Sequence, residues 1–155
     1  MTLFLWTLVL WLIQSLPVWG YFNLLGVEPN LLLIYLVILA FRKGWKTGLA
    51  LGIGMGLLID MSSHTMFINL ITFPLIGVLV GVTKNHIFKN ELLLNICWVA
   101  GATLLYRFIY TYFMAVIFDQ TVMVLSIKLI RLLMLHGLLT GVLWFFIPAP
   151  DEKEN

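Results

Sequence analysis

The run GLALGIGMGLLID, Gly48 to Asp60, decides how this chain folds. Gly48, Gly52, Gly56 and Asp60 recur every fourth residue, and residues four apart on an α-helix lie on neighbouring turns of one face. Three glycines and a carboxylate therefore form one slowly winding stripe on an otherwise apolar rod. In water, glycine weakens a helix. In lipid it lets a neighbouring helix approach closely. The plain reading of the stripe is a helix-packing face. The sharper reading makes Asp60 a functional acid within or at the edge of a membrane.

The rest of the chain sets that rod in a bilayer. Of 155 residues, 62% are hydrophobic, and the mean hydropathy is +1.05. Soluble domains are about 45–50% apolar, so a water-soluble fold could not cover this much apolar surface. Nine Lys and Arg against seven Asp and Glu leave a net charge of +2. The basic residues sit in short turns and form no face for a nucleic acid. Cys97 is the sole cysteine, which rules out an intrachain disulfide, and inside an apolar segment it reads as a buried thiol with no role. The apolar N-terminus lacks the basic start and small-residue cleavage site of a secretory signal, so it is expected to remain as a membrane segment.

Six apolar segments follow one another. The first runs from Thr2 to about Val18, broken near Pro17. Trp19 to Glu28 is ambiguous, with Trp19 and Tyr21 suited to a membrane–water interface. Pro29 suits the first turn of a helix, but Pro29–Phe41 falls short of the roughly 30 Å hydrocarbon core at about 1.5 Å per residue. That segment either begins earlier, near Tyr21, or is tilted or half-buried. Arg42, Lys43 and Lys46 make a basic turn around Gly44, with Trp45 at interface level. The third span covers Thr47 to about Met61 and ends in a polar turn, Ser62–Thr65. The fourth covers Met66–Thr83, with Pro74 as a kink and Gly77 and Gly81 as another close-contact pair. Lys84, His86, Lys89 and Glu91 lie in a second basic connection. The fifth segment is Leu92–Phe118, closed by Asp119–Thr121. The sixth is Val122–Ile147, carrying Gly137 and Gly141.

The chain thus reads as an all-α integral membrane protein with about six transmembrane helices, or five if the second segment does not span. Residues 1–150 are expected to form a single polytopic transmembrane domain, and residues 151–155 a short polar tail. The two basic turns are separated by two spans and share a side, which the positive-inside rule places in the cytoplasm. The C-terminus falls on the same side, in a multi-pass plasma-membrane protein.

Three groups of polar residues invite a role. Arg107 sits midway along the fifth segment, where a charge costs about 2.5–3.5 kcal/mol on insertion scales. Asp119 is about 18 Å away along the same rod, so Asp60 or a separate protein is the expected partner. The plain alternative is a structural pair or a snorkelling side chain. Lys128 and Arg131 share a face near the outer end of the sixth segment, with His136 five residues further in. Interfacial snorkelling accounts for them, and a basic patch for a lipid head group or a partner is the alternative. Asp60 and His64 are four apart, but no hydrolase elbow, zinc motif or phosphate loop accompanies them. No catalytic residue, metal site or cofactor is expected.

The order and spacing of several elements go further. Pro29-Asn30-Leu31-Leu32-Leu33, Gly44 after a basic pair, Gly48, Gly52, Gly56-Leu57-Leu58-Ile59-Asp60, Asn69-Leu70 and Gly77 together resemble the rod shape-determining protein MreD family. Asn30 stands where that family has Asp, Phe67 where it often has Gly, and Val78 where an aromatic is common. The resemblance covers residues 29–84 closely and the rest by hydropathy, length and helix count. It implies a non-enzymatic scaffold of the cell-wall elongation machinery that binds MreC within the membrane. Through MreC it would work with MreB, RodA and its transpeptidase. On this reading Gly48, Gly52, Gly56, Asp60, Gly77 and Gly81 form the packing or partner face. The resemblance also implies a fold similar to the substrate-binding subunits of energy-coupling-factor vitamin transporters. A vitamin-binding subunit is therefore the alternative, with Glu28, Ser62, Ser63, His64, Asp119 and Gln120 as outward polar candidates.

Overall fold

Eleven consecutive residues, Leu31 to Phe41, are buried on every side of one short helix. A helix that is apolar all round must be surrounded, and this one packs against every other described helix. The computed structural model describes residues 2–15, 29–63, 67–83, 91–118 and 127–146. Within them the fold is all-helical: α1 Thr2–Ser15, α2 Leu31–Lys43, α3 Trp45–Ser63, α4 Ile68–Val82, α5 Glu91–Phe118 and α6 Ile127–Phe146. The helix α2 is the central rod, and it is short because the other helices, not lipid, enclose it. Its 13 residues span only about 20 Å.

Local chemistry explains its ends. The Asn30 side chain caps the start by accepting from Leu33 N at 3.1 Å. Asn does this as well as Asp, so the departure at this position keeps the cap. At the other end Arg42 and Lys43 occupy the last turn, where cations complement the helix dipole. Gly44 then stops the helix at φ 93°, its N–H donating to Ala40 O at 2.8 Å. That backbone conformation favours glycine, and it lets α3 start one residue later.

Several boundaries move from their sequence-based positions. Ser62 and Ser63, expected in a turn, still belong to α3. The Ser62 hydroxyl bonds back to Leu58 O and Ile59 O, each at 3.0 Å, so it is satisfied without leaving the helix. Pro74 lies inside α4, which continues to Val82. Cys97 is exposed, not buried, because it shares the outward face of α5 with Leu93, Leu104 and Phe108. Trp19–Glu28, His64, Asp119–Thr121 and the 151–155 tail lie outside the described residues.

The outer surface is apolar, with Met61, Met134, Leu138 and Phe145 all at least 70% exposed. Among the described residues, one helix is long and apolar enough to cross a membrane, over Leu92–Val116. Leu5–Ser15, Ile68–Val82 and Leu129–Phe145 are shorter apolar helices.

Candidate functional site

Helices α3 and α4 meet backbone to backbone. A Cβ added to Gly48 would fall on the Gly77 carbonyl, and one added to Gly77 would fall on the Gly48 carbonyl. At Gly52 it would lie 2.6 Å from the Pro74 Cα, and at Gly56 2.5 Å from Asn69 O. Gly81 meets the Trp45 backbone in the same way. The two helices thus run antiparallel over the whole length of the glycine stripe. No side chain larger than hydrogen fits at these positions, and the pair is held by dispersion and short Cα–H···O approaches.

Asp60 closes this clasp. It is 8% exposed. Its Oδ1 accepts from Asn69 N at 3.2 Å and Asn69 Nδ2 at 2.8 Å, and its Oδ2 accepts from Leu70 N at 2.8 Å. The first N–H groups of a helix lack intrahelical partners, and α4 has no side-chain cap from its own N-cap residue, Phe67. Asp60 therefore caps α4 from the neighbouring helix, with its negative charge at the positive end of the dipole. Tyr106 of α5 donates to Asn69 Oδ1 at 2.9 Å. Its ring meets Phe73 edge-on at 5.9 Å and stacks on Tyr110 at 6.0 Å. Helices α3, α4 and α5 thus meet in one buried polar chain.

A second polar chain sits at the start of α2. Asn30 N donates to His136 Nε2 at 3.0 Å, and His136 Nδ1 lies 2.7 Å from Thr103 Oγ1. A backbone N–H can only donate, so Nε2 is the acceptor and the ring proton of the neutral imidazole resides on Nδ1. Thr103 accepts that proton's bond and donates its own hydroxyl to Val99 O at 2.7 Å. Gln14 of α1 accepts from Leu32 N at 3.4 Å. The backbone donors of Asn30, Leu32 and Leu33 at this helix end are thus taken up by the protein itself. At the opposite end Arg42 lies over the Trp144 ring, 3.7 Å from its centroid, and donates to Trp144 O at 3.3 Å.

The structure brings Gly48, Gly52, Gly56, Asp60, Gly77 and Gly81 into one interface. Arg107 is half-buried on α5, and Arg131 is exposed on α6. Asp60 spends its oxygens on Asn69 and Leu70, and among the described residues Arg107 makes no ion pair. Lys128 lies in the first turn of α6. His136 faces the core, whereas Arg131 is exposed. The long-range bonds of Asn30, Thr103 and Tyr106 were not readable from spacing, since their partners lie 33 to 106 residues away. Among the described residues no three His, Cys, Asp or Glu side chains gather to hold a metal.

A model of the rod shape-determining protein MreD family matches residues 1–149, so the chain belongs to that family. It thereby belongs to a family of shape-determining membrane proteins. Neither among curated proteins nor among solved structures does anything match the chain.

Proposed function

We propose that this chain is a non-enzymatic, multi-pass scaffold of the cell-wall elongation machinery, holding MreC within the plasma membrane and through it MreB, RodA and its transpeptidase. The observation that carries this reading is the α3–α4 clasp with its Asp60 cap. A rigid antiparallel pair suits the presentation of a fixed face to a partner helix. The self-satisfied start of α2 points the same way. A ligand-binding subunit needs polar groups left to orient its ligand, and here Asn30, His136, Thr103 and Gln14 bond to one another or to the helix end.

The topology follows from charge. Arg42, Lys43 and Lys46 at the α2–α3 turn mark the cytoplasmic side, with Trp45 and Trp144 at interface level. Residues 1–150 form one polytopic unit of about six spans, in which α2 is enclosed by protein. The 151–155 tail is cytoplasmic. The fold is of the kind used by energy-coupling-factor substrate-binding subunits, put here to scaffolding. The test is a mild-detergent pull-down of the tagged chain from its native cells, read by mass spectrometry. Recovery of MreC with elongation enzymes is expected. Recovery of an energy-coupling subunit with two ATPases would overturn the reading.

A further inference from the structure

The helices α5 and α6 touch through Thr103 with His136 and Ile96 with Gly137. Residue numbers rise on one helix as they fall on the other, so the pair is antiparallel. That register sets depth. Arg107 lies four residues beyond Thr103, and Arg131 five residues before His136, roughly 6 and 7.5 Å along the two axes in the same direction. Both point away from the end where Arg42 meets Trp144, so both arginines lie in the half of the membrane opposite the basic turn. Arg107 is three residues from the centre of Leu92–Val116, about 5 Å from the middle of the span.

Two cations at that depth are expensive unless answered. Among the described side chains the one carboxylate is Asp60, whose oxygens serve Asn69 and Leu70. Neither arginine makes an ion pair among the described residues. A further donor lies on the same helix as Arg107. Thr72, Thr103 and Thr140 each donate to the carbonyl four residues back, but the hydroxyl of Thr111, one turn beyond Arg107, is buried without a partner. Apolar side chains flank both arginines outward, Leu104 and Phe108 on α5 and Ile130 and Met134 on α6.

We infer that Arg107 and Arg131 form an intramembrane docking patch for a transmembrane helix of a partner protein that carries a carboxylate about 10 Å below the non-cytoplasmic surface. Depth selects this occupant at Arg107, the deeper of the two, whereas Arg131 near its helix end is within snorkelling reach of a head group. A lipid phosphate sits outside the hydrocarbon, whereas a side-chain carboxylate on a neighbouring helix reaches this level directly. Arginine binds a carboxylate bidentately, and the flanking apolar residues pack on the same helix. The inference rests on the scaffold reading and adds the recognition chemistry.

The experiment is co-purification of partners with the full-length tagged chain from native membranes, comparing wild type, Arg131→Gln, the double variant Arg107→Gln with Arg131→Gln, the corresponding double Lys variant, and Asp119→Asn. Co-purified phospholipid is quantified in each. The double Gln variant is expected to lose the partner by roughly ten-fold or more, and the double Lys variant to keep most of it. Amide replacement of one intramembrane carboxylate in the recovered partner should mimic the loss and add nothing to it. Arg131 is exposed, so Arg131→Gln decides the matter should the double variant fail to fold, with a smaller loss expected. Undiminished recovery with the Gln variants overturns the inference while the scaffold reading stands. Loss of anionic phospholipid alone assigns the arginines to lipid, and an equal loss in Asp119→Asn assigns them to a pair within the chain; each overturns it. Wild type that recovers no membrane partner overturns both readings.

Discussion

Two helix pairs in this protein carry glycines four residues apart, and they pack in opposite ways. In α3–α4 a Cβ at Gly48, Gly52 or Gly56 would strike backbone. Among the described residues, a Cβ at Gly141 of α6 would meet nothing within 4 Å, and one at Gly137 would touch only the Ile96 side chain at 3.8 Å. The same spacing thus marks a clasp in one place and open space in the other. Small residues permit close approach, but a second backbone must lie opposite before the permission matters. The polar chemistry follows the same division. In the clasp Asp60 caps the neighbouring helix through two backbone N–H groups, whereas α5 and α6 are joined by the His136–Thr103 bond.

The largest effect should come from filling the clasp. Gly52→Leu and Gly48→Ala force side-chain carbon against backbone that cannot yield, at about 3 kcal/mol or more, and Gly52→Leu should abolish accumulation of folded protein in membranes. Fluorescence-detected size exclusion from membranes checks this. A normal monodisperse peak for both would show that the two helices can separate freely.

Asp60→Ala comes next. It strands Asn69 N, Leu70 N and the Asn69 amide, and should cost about 2–4 kcal/mol, the sum expected for a lost cap and buried unpaired donors. Thermal unfolding in detergent should show a fall larger than that of Thr103→Val, which removes one acceptor from His136 and should cost about 1–3 kcal/mol. If Thr103→Val proved the more damaging, the polar anchor of the fold would lie on α5–α6 instead.

Phe67 tests the strain at the mouth of the clasp. It adopts φ 63°, ψ 11°, in the left-handed region, and is exposed. That conformation costs a non-glycine residue about 1–2 kcal/mol. After glycine's greater chain entropy is set against it, Phe67→Gly should stabilise by up to about 1 kcal/mol. A lower melting temperature for the variant would place the value of Phe67 in its side chain.

The smallest effect belongs to the open pair. Gly141→Ala meets no obstacle and gains helix propensity, so it should be neutral or stabilising by about 0.5–1 kcal/mol. A loss comparable to that at Gly48 would mean a partner covers this face in the membrane.

Much of the fold was legible in the chain. Composition decided that it lives in a membrane, because 62% hydrophobic residues cannot be hidden inside 155 residues in water. Continuous apolar runs decided that it is helical, and the turns marked most helix ends to within a few residues. The order of motifs around Pro29–Gly77 pointed to the family. Periodicity also decided which residues share a face, since a helix fixes that by itself. It could not decide what each face meets, because that depends on another segment's path. Tertiary structure alone made α2 the enclosed centre, gave the Gly48 stripe a backbone and, among the described residues, the Gly141 face none, and turned Asp60 into the cap of α4. It alone joined Asn30 to His136, a bond between residues 106 positions apart, since a hydrogen bond depends on distance in space and spacing along the chain carries no record of it.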